Sequence, residues 1–211
     1  MSKTYHTQTA RFIAAIADAM PSDLSGELMQ GWIENPKALR KVLSGALCPP
    51  QSESNFPIWK TVKVGTLNDV TTARQQLKAA GIKISKWGDD ILGRVTFEDT
   101  EATLDLGRVS VKELGLETGA TTAEVYAAAK RHGLSLCPAE VAPQLWLQYP
   151  DLLTRGAESR MAMEVIVDSD NRLSVSYLSH RDDGRWFEAT SGHPDFRWFG
   201  SNRWVFVQKA S

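Results

Sequence analysis

The feature that most constrains this chain is a break at residues 48–55, which reads Cys48-Pro49-Pro50 and then small polar residues. Two adjacent prolines neither continue a helix nor supply the backbone donors of a central strand. Before the break, apolar residues recur at helical spacing, as at Phe12, Ile16 and Met20. Beyond it, the alternation that is typical of strands begins near Ile58. The break therefore predicts a helical arm at residues 1–48 and a second domain at residues 56–211.

The two parts differ in their predicted elements. The arm reads as three short amphipathic helices, and the tail of the chain reads as a meander of strands separated by Asx and Gly turns. For the second domain we predict strands over residues 58–64, 95–97, 104–111, 161–167, 173–178, 185–189 and 204–208. We predict helices over residues 69–80, 85–92, 121–133 and 138–149, the last kinked or shortened by Pro143. This pattern predicts an α+β fold, a helical subdomain followed by an α+β domain with a mostly antiparallel sheet.

Composition excludes several functional classes. The chain has 211 residues, with 24 Lys and Arg against 25 Asp and Glu, so it cannot coat nucleic acid over its whole surface. Its two cysteines, Cys48 and Cys137, cannot form a disulfide framework or a four-cysteine zinc site. No apolar run reaches the roughly 18 residues that a membrane span needs. We expect a cytoplasmic protein, because nothing resembles an export signal and the cysteines are free.

The common nucleotide-binding and hydrolase motifs are absent from the sequence. Residues 121–149 raise the question of a helix-turn-helix, with Ala129 and Gly133 at the end of the first helix. The second helix of that pair carries Glu140 and no Lys or Arg, so it is unsuited to lie on phosphates. A pair of core helices is the better interpretation of this segment.

Histidines and carboxylates gather in the tail and allow an enzymatic alternative. Imidazole and carboxylate groups can bind a divalent metal or act as acid and base. The residues in question are His180, Asp182, Glu188, His193 and Asp195. Their spacing matches no known ligand frame, and Asp, Gly and Pro are also ordinary turn residues. We therefore predict no metal and no cofactor, and keep a small metal-assisted or acid/base enzyme as the alternative.

The same tail concentrates arginine and aromatic residues. Arginine and tryptophan are enriched in the hot spots of protein interfaces, and they also form stacking surfaces for single-stranded nucleic acid. Phe196 to Phe199 lie in a loop rich in Gly and Pro, so we expect those aromatic rings to be exposed. The candidate binding residues are Arg185, Trp186, Arg197, Trp198, Arg203 and Trp204.

Several motifs together resemble a family of uncharacterised bacterial proteins with an LCPAEV-PQL-LQY signature. In this chain the signature is Leu136 to Val141, then Pro143-Gln144-Leu145, then Leu147-Gln148-Tyr149, and further matches extend over most of residues 28–208. No activity is assigned to that family, so the resemblance implies no catalytic residue. It implies a bacterial, cytoplasmic protein. The signature is mostly apolar with Gln and Glu, which favours a structural role for it.

The sequence thus predicts a non-enzymatic cytoplasmic protein that binds a protein partner. The partner would contact the Arg/Trp-rich C-terminal surface or the N-terminal helices. Binding of single-stranded nucleic acid is a further alternative, which the acidic balance of residues 101–211 disfavours. No interaction with a membrane is expected.

Overall fold

The computed structural model describes residues 25–39 and 56–208, together with residues 11, 14, 17 and 18. The chain divides into two compact units, residues 1–50 and 51–211. In the first unit, helix α1 spans Gly26–Glu34, and residues 36–39 form a further helical turn. That turn follows Asn35, whose Oδ1 accepts a hydrogen bond from the amide of Ala38 at 3.2 Å. The predicted stripe from Phe12 to Met20, the second half of the third helix and the break at 48–55 fall mostly or wholly outside the described residues.

The second unit is an α+β structure, as predicted. Its helices are α2 Val70–Ala79, α3 Lys86–Leu92, α4 Thr122–Arg131 and α5 Val141–Gln148. Its strands are β1 Lys60–Val64, β2 Ile82–Ile84, β3 Ala102–Ser110, β4 Ala120–Thr121, β5 Leu134–Ser135, β6 Glu158–Met161, β7 Ile166–Val167, β8 Leu173–Arg181, β9 Gly184–Ser191, β10 Arg197–Trp198 and β11 Arg203–Gln208.

Within residues 56–208, nine strands form one large sheet, which is mostly antiparallel. Its main path runs β1-β3-β11-β6-β8-β9-β2, so that β1 and β2 are the two edges, while β5 pairs with β11 and β7 with β8. The parallel pairs in this path are β11 with β6 and β2 with β9. Strands β4 and β10 form a separate antiparallel ribbon. The long antiparallel hairpin β8–β9, with β6 beside β8, confirms part of the predicted meander. Its predicted last strand, β11, lies instead between β3 and β6.

Local signals explain where the helices begin and end. Asp69 caps α2 by accepting from the amide of Thr72 at 2.7 Å. Thr121 and Glu124 form both halves of a capping box at the start of α4, as the sequence predicts. The helix predicted over residues 138–149, kinked or shortened by Pro143, is indeed shorter, but it is shortened at its start and is not interrupted at Pro143. This proline is the third residue of α5, in the first turn, where no backbone amide has a helical partner to lose.

The predicted strands differ from the structure in several places. Residues 95–97 form no strand, and the predicted strand 161–167 is divided into β6 and β7. The division occurs because Ala162 donates to the carbonyl of Val205 while its own carbonyl accepts from Cys137, which draws the chain away from β8. Strands β2, β4, β5 and β10 were not predicted, because two or three residues are too few to show an alternating pattern.

The core lies on both sides of the sheet. Helices α3 and α5 pack against the sheet, and the indole nitrogen of Trp146 donates to the carbonyl of Trp186 at 3.0 Å. On the opposite face, Tyr126 of α4 packs edge-on against Trp204 and Phe206, two residues apart on β11. In the described part of the chain, no helix is long and apolar enough to cross a membrane.

Candidate protein-interaction surface

The predicted Arg/Trp surface divides into buried and exposed members. Trp204 is fully buried, and Trp198 is 5% exposed. The two rings pack perpendicular to each other, with their centroids 5.1 Å apart. These two residues belong to the core because both the strand alternation of β11 and the turn of the chain at β10 direct them inward. Trp198 and Trp204 are therefore core residues, and their rings are not available to a partner.

The other four residues lie at the surface but in different places. The guanidinium of Arg185 donates to the carbonyls of Pro150 and Ala80, at 2.9 and 2.8 Å. Arg203 lies 3.4 Å from the carboxylate of Glu113. Trp186 is half-buried, and Arg197 is exposed. Arg185 and Arg203 thus have structural partners of their own, whereas Arg197 projects into solvent.

The tail histidines and carboxylates do not converge. His180 pairs with Arg185 near the turn of the β8–β9 hairpin, whereas Ser191, two residues before His193, pairs with Ser174 at the other end. At about 3.4 Å per residue, the six residue steps from Arg185 to Ser191 alone span roughly 20 Å, so the two histidines lie at opposite ends of the hairpin. In the part of the chain that the structure describes, no group of three His, Cys, Asp or Glu residues could hold a metal ion. The alternative in which His180 and His193 share one site has no support in this arrangement.

The carboxylates of that constellation have local structural partners. Glu188 is buried and accepts from the hydroxyl of Ser179 at 2.7 Å and from Arg181 at 2.5 Å. Asp182 is paired with the guanidinium of Arg155 at 3.7 Å on an open surface. Asp195 lies 4.0 Å from the ring of His193, at the far end of the hairpin. These contacts hold the hairpin and its flanking loops together, and they assemble no reactive pair.

A different feature emerges at residues 192–202, which we call the aromatic loop. Its inward residue is Trp198. The guanidinium carbon of Arg160 lies 4.9 Å from the centroid of the Trp198 ring, the centroid of the Phe196 ring lies 4.7 Å from it, and the ring of Trp204 packs against it as well. The indole nitrogen of Trp198 donates to the hydroxyl of Thr122 at 2.8 Å. The side chain of Trp198 therefore anchors the aromatic loop to the sheet and to the start of α4.

The backbone of the aromatic loop is fixed as well. Strand β10 pairs with β4, and a Cβ atom at Gly119 would collide with the carbonyl oxygen of Trp198. Gly119 also has a φ of +88°, which favours glycine. The amide of Phe199 donates to Asn202 Oδ1 at 2.8 Å, and the carbonyl of Gly200 accepts from Lys112 at 2.9 Å. The aromatic loop is thus held from several sides by the segment before α4.

At the tip of this fixed loop, aromatic rings meet solvent. Phe199 is 78% exposed and Phe196 is 45% exposed, with the exposed Arg197 between them. Hydrogen bonds from Thr121 lower the pKa of Glu124, and the positive charge of Arg197 contributes to the same shift. Exposure of Phe196 and Phe199 follows the sequence expectation. Their rigid support does not, because it depends on Gly119 and Thr122, which are distant in sequence.

A partly buried polar network contacts the ring of Trp198, and no sequence motif predicted it. The guanidinium of Arg160 lies between the rings of Trp198 and Tyr177, and its Nη2 donates to Glu158 at 2.7 Å. The Tyr177 hydroxyl also donates to Glu158. Burial raises the pKa of Tyr177, and the carboxylate of Glu158 raises it further. Burial works to raise the pKa of Glu158, but the bonds from Tyr177 and Arg160 outweigh it and lower that pKa.

The signature residues of α5 have a structural role. Glu140, which is fully buried, accepts from the backbone amides of Gly65 and Glu98. One helical turn later, Gln144 donates to the hydroxyl of Thr66 at 2.7 Å. These contacts hold the chain that follows β1 against α5. They agree with the structural interpretation of the signature and offer no reactive group.

Comparison with known proteins gave no relatives: no family model, curated protein or solved structure matches this chain. The resemblance to a bacterial family therefore stays a prediction. The candidate surface rests on its geometry alone.

Proposed function

We propose that this protein is a non-enzymatic binding protein that contacts a protein partner through the aromatic loop. The observation that carries the proposal is Phe199, 78% exposed on a loop whose backbone is fixed by surrounding contacts. Interface hot spots are aromatic and arginine residues that enter a pocket on the partner. A rigid loop presents such residues with little loss of conformational entropy on binding. Phe199 is the proposed anchor, flanked by Phe196 and Arg197.

The chemistry of these three residues indicates what the partner offers. Phe199 fits an apolar pocket, and Phe196 beside it extends the apolar contact. Arg197 suits a carboxylate at the rim of that pocket, because arginine forms paired hydrogen bonds with carboxylates. The resemblance to a bacterial family supports the cytoplasm of a bacterium as the setting.

Affinity capture with matched variants tests the proposal. The wild-type protein and Phe199→Ala are compared with Ile58→Ala, which removes an apolar side chain that is 56% exposed elsewhere on the same unit. We expect a captured protein to be retained by the wild type and by Ile58→Ala, and lost with Phe199→Ala and Arg197→Ala. Equal recovery with all four proteins would refute the proposal.

Helix α1 is a second candidate for partner binding. Met29 and Ile33 lie four residues apart on this helix and are 39% and 67% exposed. Residues four apart lie on the same side of a helix, so together they offer a short apolar stripe. The capture experiment with Ile33→Ala separates this candidate from the aromatic loop. Loss of the partner with Ile33→Ala and not with Phe199→Ala would assign binding to α1.

The enzymatic and nucleic-acid alternatives have weaker support. The first needs His180 and His193 in one site, and they lie at opposite ends of a hairpin. The second needs stacking surfaces, and the ring of Trp186 already has Lys83 and Arg181 over it at 5.2 Å. Retention of single-stranded DNA on a filter at low salt would revive the nucleic-acid alternative.

A further inference from the structure

The two edges of the large sheet differ in how their backbone groups are covered. At the β1 edge, Gln148 accepts from the amide of Lys63 at 2.9 Å and donates to its carbonyl at 2.7 Å. The hydroxyl of Tyr149 donates to the carbonyl of Thr61. Side chains therefore occupy the positions that a neighbouring strand would take. This is one way in which proteins protect an edge from pairing with another chain.

At the β2 edge, backbone groups face outward without such a cover. Strand β2 runs parallel to β9, with Lys83 opposite Trp186, and the next bond of the ladder joins Ser85 N to Phe187 O. Alternate residues of a parallel strand bond to the same neighbour, so Ile82 and Ile84 turn their amides and carbonyls away from β9. In residues 56–208, no side chain or backbone group outside β9 is hydrogen-bonded to these two residues.

A groove of about 620 Å³ follows this edge. Its walls come from α2, from the first turn of α3 and from the ring of Trp186 on β9. The volume suits an extended segment of a few residues, and it lies within the range of ordinary ligand sites, roughly 300–1,000 Å³. The lining residues are Arg74, Lys78, Gly81, Ile82, Lys83, Ile84, Asp89 and Trp186.

The charges around the groove are mostly positive. Arg74 and Asp89 pair with each other at 2.5 Å. Lys78 has no ion-pair partner among the described residues, and Lys83 lies 3.0 Å from Asp183 and 5.2 Å from the ring centroid of Trp186. With Asp183 beside Lys83, the groove and its rim carry three basic and two acidic groups, so the positive excess is a single charge, at Lys78. Such a rim attracts acidic side chains and disfavours basic ones.

We propose that the β2 edge binds an extended acidic peptide segment of a partner protein, which adds a strand to the sheet. The peptide backbone would pair first with the outward groups of Ile84, which is half-buried, because Ile82 is only 4% exposed. Successive side chains of the peptide point to opposite faces of the sheet. Those on one face would meet Lys83 and Trp186, and those on the other would meet Arg74 and Lys78. This site is separate from the aromatic loop and does not depend on it.

The test uses a fluorescein-labelled nine-residue peptide of alternating aspartate and valine, measured by fluorescence polarisation. We expect saturable binding that falls at least about tenfold with Lys78→Glu and is unchanged with Lys130→Glu, a charge reversal on the exterior of α4. Ile84→Pro removes the outward N–H group of residue 84, and proline is tolerated at this position because β2 is an edge strand. We expect that variant to lose binding, and circular dichroism confirms that each variant is folded.

Two controls make the proposal refutable. The same peptide with N-methyl groups on alternate amides keeps its charge but cannot pair as a strand, so we expect no binding. Equal binding of the methylated peptide would indicate charge attraction alone and overturn the proposal, as would absence of saturable binding. Self-association that Ile84→Pro abolishes would show a second copy of the chain at this edge and would overturn it too. Phe199→Ala should bind the peptide normally, which separates this result from the fate of the aromatic loop.

Discussion

Adjacent residues of the aromatic loop should respond in opposite ways to truncation. Trp198 is buried and hydrogen-bonded, whereas Phe199 is 78% exposed. If the first is an anchor and the second a contact residue, Trp198→Ala will destabilise the fold and Phe199→Ala will not. The pair is closely matched, because both changes remove an aromatic ring from neighbouring positions of one loop.

The expected magnitudes follow from burial. Truncation of a buried Phe or Trp lowers the free energy of unfolding by about 3–5 kcal/mol. For Trp198→Ala this total includes the lost hydrogen bond to the Thr122 hydroxyl. Phe199 buries only about a fifth of its surface, or roughly 45 Å² of an aromatic side chain, which is worth about 1 kcal/mol or less. The free energies of unfolding of the two variants should therefore differ by about 2–4 kcal/mol.

Urea unfolding followed by far-ultraviolet circular dichroism measures both values, because the backbone dominates this signal and each variant is fitted with its own folded and unfolded baselines. The slope of the unfolding transition should be the same for the wild type and both variants, so that midpoints report stability. Equal loss of stability in the two variants would refute the assignment of anchor and contact residue. A loss below about 1 kcal/mol for Trp198→Ala would refute the burial argument itself.

Three further predictions concern the support of the sheet and of the aromatic loop. Gln148→Ala should lower the free energy of unfolding by about 1–2 kcal/mol through the loss of both bonds to Lys63, and should promote association through the bared β1 edge, as light scattering would reveal. Burial works to raise the pKa of Asp168, but hydrogen bonds from its own turn lower it, so its contribution is present above about pH 4 and disappears as the pH falls through the lowered value. Asp168→Asn should therefore be less stable than the wild type at pH 7, with the difference shrinking towards pH 2, and a constant difference would contradict this. Gly119→Ala should shift the loop at Trp198 and destabilise the fold by at least about 2 kcal/mol, measured by urea unfolding, because the added Cβ collides with a carbonyl at a positive φ.

Local signals made much of the fold predictable. The capping box at Thr121 and the glycine ending α2 act over a few residues, so the sequence alone is sufficient for them. Pro143 shows the limit of such rules. The prediction of a kink depended on the helix starting at Pro138, and a start three residues later makes the proline harmless.

The candidate site was only partly predictable, because exposure is decided by distant residues. Trp198 stands in a segment that reads as an exposed loop, yet Arg160 from β6 and Thr122 from α4 enclose its ring. Nothing near Trp198 in sequence records those contacts. Phe199 was predicted to be exposed, but its rigid presentation arises from the packing around Gly119. Non-local contacts of this kind determine which aromatic residue is a contact and which is core.

The central claim is that the aromatic loop touches a protein partner, and photo-crosslinking in cells tests it most directly. A photoreactive phenylalanine analogue is placed at position 199 in one protein and at position 58, exposed on the same unit, in another. We predict a discrete crosslinked species from position 199 that excess wild-type protein prevents and excess Phe199→Ala protein does not. Absence of a crosslink from position 199, or the same pattern from both positions, would contradict the claim.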